Sequence, residues 1–336
     1  MKEFCGYPLF AEGTSVPTAL AALADCELGD GLPVVPPTAR LLEQMLDAVD
    51  DSERVLGLVP PLFGQLSAAI AAYQCVLAGC VPAHLPLIVT AVEATLAADF
   101  NLLGVATTTG TPAVAMIVHG PIAQALNVRG GGNCLGPGVG SNASLGRALS
   151  FVLRNVGGSH AGVGDMATMG QPGKYTFCFA ESDAGTISSL AVRRGLDAHC
   201  DAVTLMAVSG TAEVLPIEGG ATVAQLLDPV ALAMGAAIAQ SGARTRDPQG
   251  QMMLVPPEIL RSLAKVGFGL EQIQNYLFEN AAIPTLSGEL DEARKIARAP
   301  NSIDIVETGG PGVKMTYTPL WSGGTEPQTV AVRYSL

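Results

Sequence analysis

The chain has 336 residues, of which 49% are hydrophobic and 14% charged, and its formal net charge of −12 comes from 18 basic against 30 acidic residues. This acidic balance, without a basic patch, argues against nucleic acid or an anionic membrane as a partner, whereas a small anionic substrate stays compatible because local donors govern a site. So few charged residues cannot cover the whole surface of a monomer of this size, so part of the apolar surface should be buried between subunits. We therefore expect a homo-oligomer.

Helices and strands alternate along the chain. Hydrophobic periodicity and capping residues predict helices over 17–25, 39–49, 65–77, 85–97 and 121–126, with a buried strand over 113–118. Beyond a glycine-rich segment, strands are predicted over 175–179, 202–208 and 252–255, with helices over 222–227, 229–240, 258–266, 270–281 and 286–297. A closing strand pair is predicted over 303–307 and 314–318. The pattern indicates an α/β fold with mixed sheets and packed helices.

Two segments, AVAMIVHGPIAQALNV (113–128) and QMMLVPPEILRSLAKV (251–266), each contain a strand, a proline break and an amphipathic helix. Two pseudo-symmetric α/β halves would produce this similarity, and so would two ordinary strand–helix units. We predict one half over residues 1–190, which holds the glycine-rich loop, and a second half over 191–336 that packs intimately against it.

The seven cysteines include no CxxC pair, and the first residues, MKEFCGYPLFAEGTSV, lack the apolar core of a signal peptide. Both observations predict reduced thiols in a cytoplasmic protein. No uninterrupted apolar run reaches the length of a membrane-spanning helix, so Ala68–Ala78 and Val230–Ala239 are predicted to be buried helices of the fold.

The segment from Asn127 to Glu181 is the most informative part of the chain, because 13 of the 39 glycines lie between Asn127 and Gly173. Such density indicates either positive φ angles or close approach of backbone to a ligand. A helix is predicted over 143–156, and its amino terminus would attract a carboxylate or phosphate. We predict a small-molecule site there, with binding residues Asn133, Gly138, Ser141, Asn142 and Lys174. The alternative is a set of tight turns that serve the fold alone.

Five residues near this segment are candidates for catalysis. Cys134 precedes the helix, where the dipole lowers a thiol pKa, and Cys178 lies within a strand. His119 ends the strand 113–118, while Asp165 and Glu181 could act as general acid or base. For each, a structural role is the alternative: a buried cysteine, a hydrogen-bonded histidine, a solvated carboxylate.

Metal ligands and cofactor motifs are not predicted. Histidine and cysteine do not occur at metal-ligand spacing, and GPGVGSN lacks both the preceding strand and the following acidic residue of a dinucleotide-binding fingerprint. We therefore expect neither a metal nor a cofactor.

Five segments together resemble a known family: DGLPVVPPT (30–38), AGCVPAHLPLIVTAVEATL (78–96), GPGVGSNASLGRAL (136–149), QPGKYTFCFAE (171–181) and LAKVGFGLEQIQNYLFENAAIP (263–284). They are similar to a poorly characterised bacterial family often encoded beside small proteins with a UGSC motif. The resemblance implies a cytosolic enzyme or enzyme subunit linked to sulfur or selenium metabolism. It implies that Cys80, Asn142, Lys174, Cys178 and Glu181 match family positions, whereas His84, His119 and the segment 182–195 depart from them.

Three functions follow as hypotheses. The first is a cofactor-independent lyase, hydrolase or isomerase acting on a small carboxylate-bearing molecule, with the anion at the helix after the glycine-rich turn. The second is a thiol-based redox or sulfur-transfer subunit that works with a protein partner. The third is a non-catalytic scaffold subunit.

Overall fold

The structure is a computed structural model that describes residues 2–138, 140–217, 222–240, 250–284 and 295–333. The first elements are β1 (Lys2–Phe4), β2 (Tyr7–Leu9), α1 (Val16–Asp25), α2 (Ala39–Leu46), β3 (Val55–Val59), β4 (Gly64–Ser67), α3 (Ala68–Ala78), α4 (Leu85–Thr95), α5 (Leu102–Thr107), β5 (Ala113–His119), α6 (Pro121–Ala125), α7 (Asn142–Phe151) and β6 (Cys178–Ala180). There follow α8 (Leu190–Arg193), β7 (Ala202–Val208), β8 (Ala212–Val214), α9 (Val223–Gln240), β9 (Gln251–Val255), α10 (Pro257–Lys265), α11 (Leu270–Asn280), β10 (Ile303–Glu307), β11 (Met315–Pro319) and β12 (Gln328–Ala331). Helices and mixed sheets together confirm the predicted α/β class.

Hydroxyl side chains set the start of several helices. The Ser15 and Thr38 hydroxyls each accept a backbone N–H from the first turn of α1 and α2, as the sequence predicts. The helix predicted from residue 65 begins instead at Ala68, because Gly64–Ser67 pairs with β3 as a strand and Ser67 caps α3.

The segment 222–240 is one helix, α9, and not two. Pro229 removes one backbone hydrogen bond inside it, but Leu226, Val230 and Met234 continue a single buried face on both sides of the proline. By length and composition this helix is apolar enough to cross a membrane, as is the bent pair Pro82–Thr95 and Ala98–Thr107 taken together. The sequence pattern predicts two shorter helices here, because proline usually ends a helix.

Two four-stranded sheets form the centre of the fold, in the orders β12-β7-β5-β6 and β10-β9-β11-β8. In the first, β5 pairs in parallel with β6 and antiparallel with β7, which pairs antiparallel with β12. In the second, β9 pairs in parallel with β10 and antiparallel with β11, which pairs antiparallel with β8. The two sheets therefore have the same topology. The predicted closing pair 303–307 and 314–318 is wrong, because β9 lies between those strands.

The sheets exchange their fourth strands. After β7 the chain crosses to the second sheet as β8, and after β11 it crosses back to the first as β12. At the crossing Val208 and Leu320 form a bridge, in which the Ser209 N–H donates to the Pro319 carbonyl at 2.8 Å and the Trp321 N–H to the Ala207 carbonyl at 2.8 Å. The division at residue 190 stays a prediction. Strand β7 lies after this residue but belongs to the first sheet, so strand pairing joins the two predicted halves.

Strand alternation divides the interior into three hydrophobic clusters. Met116, Val118 and Cys178 face the helices α3, α4 and α7, whereas Ile117 and Phe179 face the second sheet. In that sheet Met252, Leu254 and Val306 face the first one, and Met253, Val255 and Ile305 face α9, α10 and α11. The result is four layers in the order helix, sheet, sheet, helix.

The helix predicted over 286–297 falls mostly outside the described residues.

The helix α7 packs closely on the segment directly before β6. A Cβ at Gly146 would lie 2.4 Å from the Thr176 Oγ1 and 2.8 Å from the Phe177 backbone nitrogen. We therefore expect Gly146→Ala to lower the free energy of unfolding by about 2 kcal/mol, in spite of the higher helix propensity of alanine.

Chemical denaturation measures this effect, and Gly131→Ala is the matched control. A Cβ at Gly131 meets no atom within 4 Å, so that variant should unfold within about 0.5 kcal/mol of the wild type. Equal stability of the two variants would contradict the packing described here.

Candidate functional site

A cavity of about 530 Å³ opens where the end of α7, the start of β5 and the loop 159–175 meet. Its walls are largely apolar, with Val114, Phe151 and Leu153 among the lining residues, and the exposed side chains of Met169 and Tyr175 belong to it as well. This volume lies within the range of small-molecule sites in proteins.

The helix α7 continues into one π turn, Val152–Val156, which brings two polar side chains to this region. The Arg154 Nε donates to the Gly29 carbonyl, and the Asn155 Oδ1 accepts the Gly29 N–H at 3.3 Å. Such turns occur often at functional sites, because the widened backbone redirects side chains. The predicted helix 143–156 is correct in extent, but its last five residues are π-helical.

The segment after Gly29 is held by a second arginine. The Arg147 guanidinium binds both Asp30 carboxylate oxygens, each at 2.7 Å, and donates to the carbonyls of Leu32 and Pro33. Because Asp30 lines the cavity, this ion pair fixes one wall of the cavity and neutralises the carboxylate.

Asp165 and Lys174 form an ion pair among the cavity residues. The Lys174 ammonium lies 2.8 Å from the Asp165 Oδ1 and 2.6 Å from its Oδ2, and each side chain is about one-fifth exposed. The Ala167 N–H donates to the Asp165 Oδ1 at 3.0 Å, and the Ser150 hydroxyl donates to the Lys174 carbonyl at 3.0 Å. Both predicted site residues therefore line one cavity and contact each other.

Arg154 has no comparable partner. Within the described part of the chain, no carboxylate lies at ion-pair distance from its guanidinium. Its positive charge reaches the neighbouring His160, whose pKa is lowered by burial first and by Arg154 second. Sequence reasoning missed Arg154, because a lone arginine inside an apolar helix carries no motif; only the π turn shows its placement.

His119 and Glu181 lie together at the opposite, carboxyl ends of β5 and β6. The His119 Nδ1 is 2.8 Å from the Glu181 Oε2, and the His119 Nε2 is 2.8 Å from the Thr204 hydroxyl. The Leu190 N–H donates to Glu181 at 2.9 Å. Both titratable side chains are almost fully buried. They form an internal network about 20 Å along the strand from the start of β5, and thus not part of the cavity.

The two predicted reactive thiols are buried. Cys134 and Cys178 are 7% and 4% exposed, and burial raises the pKa of both. The helix dipole effect expected at Cys134 is therefore overridden by desolvation. The Cys134 Sγ lies 3.7 Å from the Thr308 hydroxyl, so this thiol belongs to the contact between the halves.

A different thiol, Cys80, has a lowered pKa. Hydrogen bonding from Cys75, and then from His84, lowers it to about 6 against the effect of burial. In its protonated form this thiol donates to the Ser144 carbonyl at 3.5 Å. The Cys80 N–H donates to the Cys75 carbonyl at 2.9 Å across the end of α3, which brings the two residues together. The sequence analysis ranked neither for catalysis, because their C-x4-C spacing matches no thiol motif.

The glycine-rich loop contacts the segment that follows β10 of the second sheet. The Gly309 N–H and the Thr308 hydroxyl both donate to the Gly130 carbonyl, at 2.7 Å and 3.0 Å. A Cβ at Gly310 would lie 2.6 Å from the Gly132 Cα. Here at least, glycine is required because one backbone packs directly on another.

The predicted binding residues of this loop hold the loop itself. The buried Asn142 amide accepts the Arg129 N–H at 2.8 Å and donates to the carbonyls of Arg129 and Cys134, each at 2.9 Å. The Asn133 amide donates to the Pro137 carbonyl, and Ser141 precedes α7 without a side-chain cap. Gly138 takes a positive φ of 77°, and Val139 lies outside the described residues. An anion at this helix end stays a prediction.

Among the described residues no group of three or more His, Cys, Asp or Glu side chains could hold a metal ion. Comparison of the chain with protein-family models, curated proteins and solved structures finds no match.

The pKa values of the thiols lead to a measurable prediction. A thiolate is the form that reacts, so the alkylation rate of Cys80 should stay nearly constant between pH 7 and 9. Cys5 is exposed, and partial burial and Glu53 raise its pKa. Its alkylation rate should therefore rise about tenfold per pH unit over the same range. Peptide mass spectrometry after pulses of iodoacetamide measures both rates. Cys75→Ala removes the hydrogen-bond donor and should restore a steep pH dependence at Cys80. Parallel profiles for Cys80 and Cys5 in the wild type would refute the assignment.

Proposed function

We propose that this protein is an enzyme that binds a small carboxylate-bearing molecule in the cavity beside the π turn. The observation that carries the proposal is the Arg154 guanidinium, which has no ion-pair partner among the described residues and lines one largely apolar cavity together with the Asp165–Lys174 pair. A guanidinium binds a carboxylate through two parallel hydrogen bonds, which fixes both the position and the orientation of the ligand.

The charges around the cavity favour an anion. Asp30 is neutralised by Arg147 and Asp165 by Lys174, so the charge of Arg154 is the one left without a partner among the described lining residues. Apolar walls would receive the rest of the ligand, whose burial contributes roughly 25 cal/mol per Å². An amphipathic monocarboxylate satisfies both conditions.

The ion pair supplies the chemistry in this proposal. The Asp165 carboxylate accepts a proton from the bound molecule, and the Lys174 ammonium stabilises the negative charge that develops or returns a proton. Such proton transfer belongs to isomerase or lyase reactions and needs no cofactor. The buried Cys134 and Cys178 have no part in it, because their raised pKa values disfavour the thiolate.

A second candidate, a thiol-based redox function, is favoured by Cys75 and Cys80. A low-pKa, partly exposed thiol beside a second thiol is the usual arrangement of a redox-active pair. The resemblance to the family encoded beside UGSC-motif proteins, the cytoplasmic location and the homo-oligomeric state remain proposals alongside both functions.

Binding tests the first part of the proposal. Isothermal titration of the wild type with benzoate should show a site whose affinity Arg154→Gln lowers by about 10- to 100-fold, the value of one charged hydrogen-bond pair. Arg40→Gln is the matched control, since Arg40 lies on the surface with a loose 3.5 Å contact to Glu12. Equal affinities for the two variants would exclude Arg154 as the carboxylate anchor.

Proton transfer is tested without knowledge of the natural substrate. Small carboxylates are incubated with the protein in D₂O, and proton NMR follows the loss of carbon-bound hydrogen signals. At least one compound that binds in an Arg154-dependent way should exchange, and Asp165→Asn should slow this exchange at least 100-fold. If carboxylates bind but none of a broad panel exchanges its carbon-bound hydrogen, the protein binds carboxylates without catalysing proton transfer.

A further inference from the structure

We propose that the second half of the protein carries a second ligand site, separate from the first, for a small molecule with an oxyanion group. The site is a cavity of about 460 Å³ whose lining includes Arg193, Arg194, Arg298 and Asp304. This inference does not depend on the function proposed for the first cavity, because the two share no lining residue.

The second cavity occupies the same place in its sheet as the first. The first cavity is lined by Ala113, at the start of the central strand β5, and the second by Gly250, directly before the central strand β9. A short 3-10 turn precedes each parallel edge strand, Pro172–Lys174 before β6 and Pro300–Ser302 before β10. Each of these turns contributes to the lining of its cavity. Because the sheets share one topology, the same kind of opening arises at the amino ends of both parallel pairs.

The arginines are not all used by the fold. The Arg194 guanidinium binds the Asp304 carboxylate at 2.7 Å, and Arg298 binds Glu326 at 2.7 Å. Arg193 donates to the carbonyls of Ser188 and Ile305, and no carboxylate lies at ion-pair distance from it in the described part of the chain. Among the lining residues there are thus three guanidinium groups and two carboxylates, although the charges of Asp304 and Glu181 also act on Arg193.

One of the two ion pairs is easily exchanged for a ligand. The side chains of Arg298 and Glu326 are each about half exposed, and such surface pairs contribute little to stability. Arg194 is held more firmly, because its partner Asp304 is almost fully buried. Arg298 is thus the cation available for a ligand. Burial raises the pKa of Asp304, and the charges of Arg194 and then of Arg193 counteract this effect.

The chemistry of the lining defines the ligand class. Guanidinium forks bind carboxylate and phosphate oxygens through paired hydrogen bonds. Leu190, Leu270 and Leu320 add apolar wall, so the ligand has a small apolar or neutral body and one oxyanion group. Carboxylate and phosphate share this recognition, and the experiment below separates them.

Isothermal titration of the full chain with inorganic phosphate, and in parallel with benzoate, tests the second site. For at least one probe we expect a binding site whose affinity falls about tenfold in Arg298→Gln. The affinity of that site should change less than twofold in Arg154→Gln and in Arg40→Gln. Phosphate as the responding probe indicates a phosphate ester, and benzoate as the responding probe indicates a second carboxylate.

A variant with the opposite effect keeps the test decisive if Arg298→Gln lowers stability. Glu326→Gln releases Arg298 from its ion pair, so the same probe should bind about threefold more tightly. Absence of any Arg298-dependent binding, or equal losses in Arg298→Gln and Arg40→Gln, would overturn the second site. If Arg154→Gln is the only variant that loses benzoate binding, the result concerns the first cavity and not the second. Failure of one site can therefore be distinguished from failure of the other.

Discussion

The exchange of β8 and β12 between the two sheets is the constraint on which the rest of the structure depends. Each sheet takes its fourth strand from chain that crosses over from the other sheet, because β8 follows β7 and β12 follows β11. The two sheets are therefore joined by two chain crossings. The bridge between Val208 and Leu320 fixes where the strands cross, and a shared cluster including Ile117, Phe179 and Leu254 fills the space between the sheets. Because both sheets are fixed in this way, a cavity opens at the amino ends of the parallel strands in each sheet. The two cavities occupy equivalent positions but are lined by different side chains.

The glycine-rich segment has its clearest role in this arrangement. Gly130 and Gly132 contact Gly309 and Gly310 directly through backbone, at the carboxyl ends of the parallel strands. Asn142 holds the same loop from the side of α7. The interpretation as turns that serve the fold thus accounts for these glycines, while the cavity with Arg154 opens at the other end of α7.

Periodicity and capping were enough to predict most helices and the strand 202–208. Pairing could not be predicted, because nothing in 303–307 and 314–318 shows that β9 lies between them. Of the candidate residues, Asp165 and Lys174 meet in one cavity, and His119 meets Glu181 elsewhere. The three-dimensional structure decides the remainder: burial raises the pKa of Cys134, hydrogen bonding from Cys75 lowers that of Cys80, and Arg154 has no ion-pair partner among the described residues.

The central claim, a carboxylate bound at Arg154, is tested most directly by a crystal structure with 4-bromobenzoate, whose bromine is located by anomalous scattering. The account predicts a bromine peak among the apolar side chains near Phe151 and Leu153, with the carboxylate on the Arg154 guanidinium. A carboxylate bound instead at the amino end of α7, or a first cavity empty at saturating ligand, would contradict it.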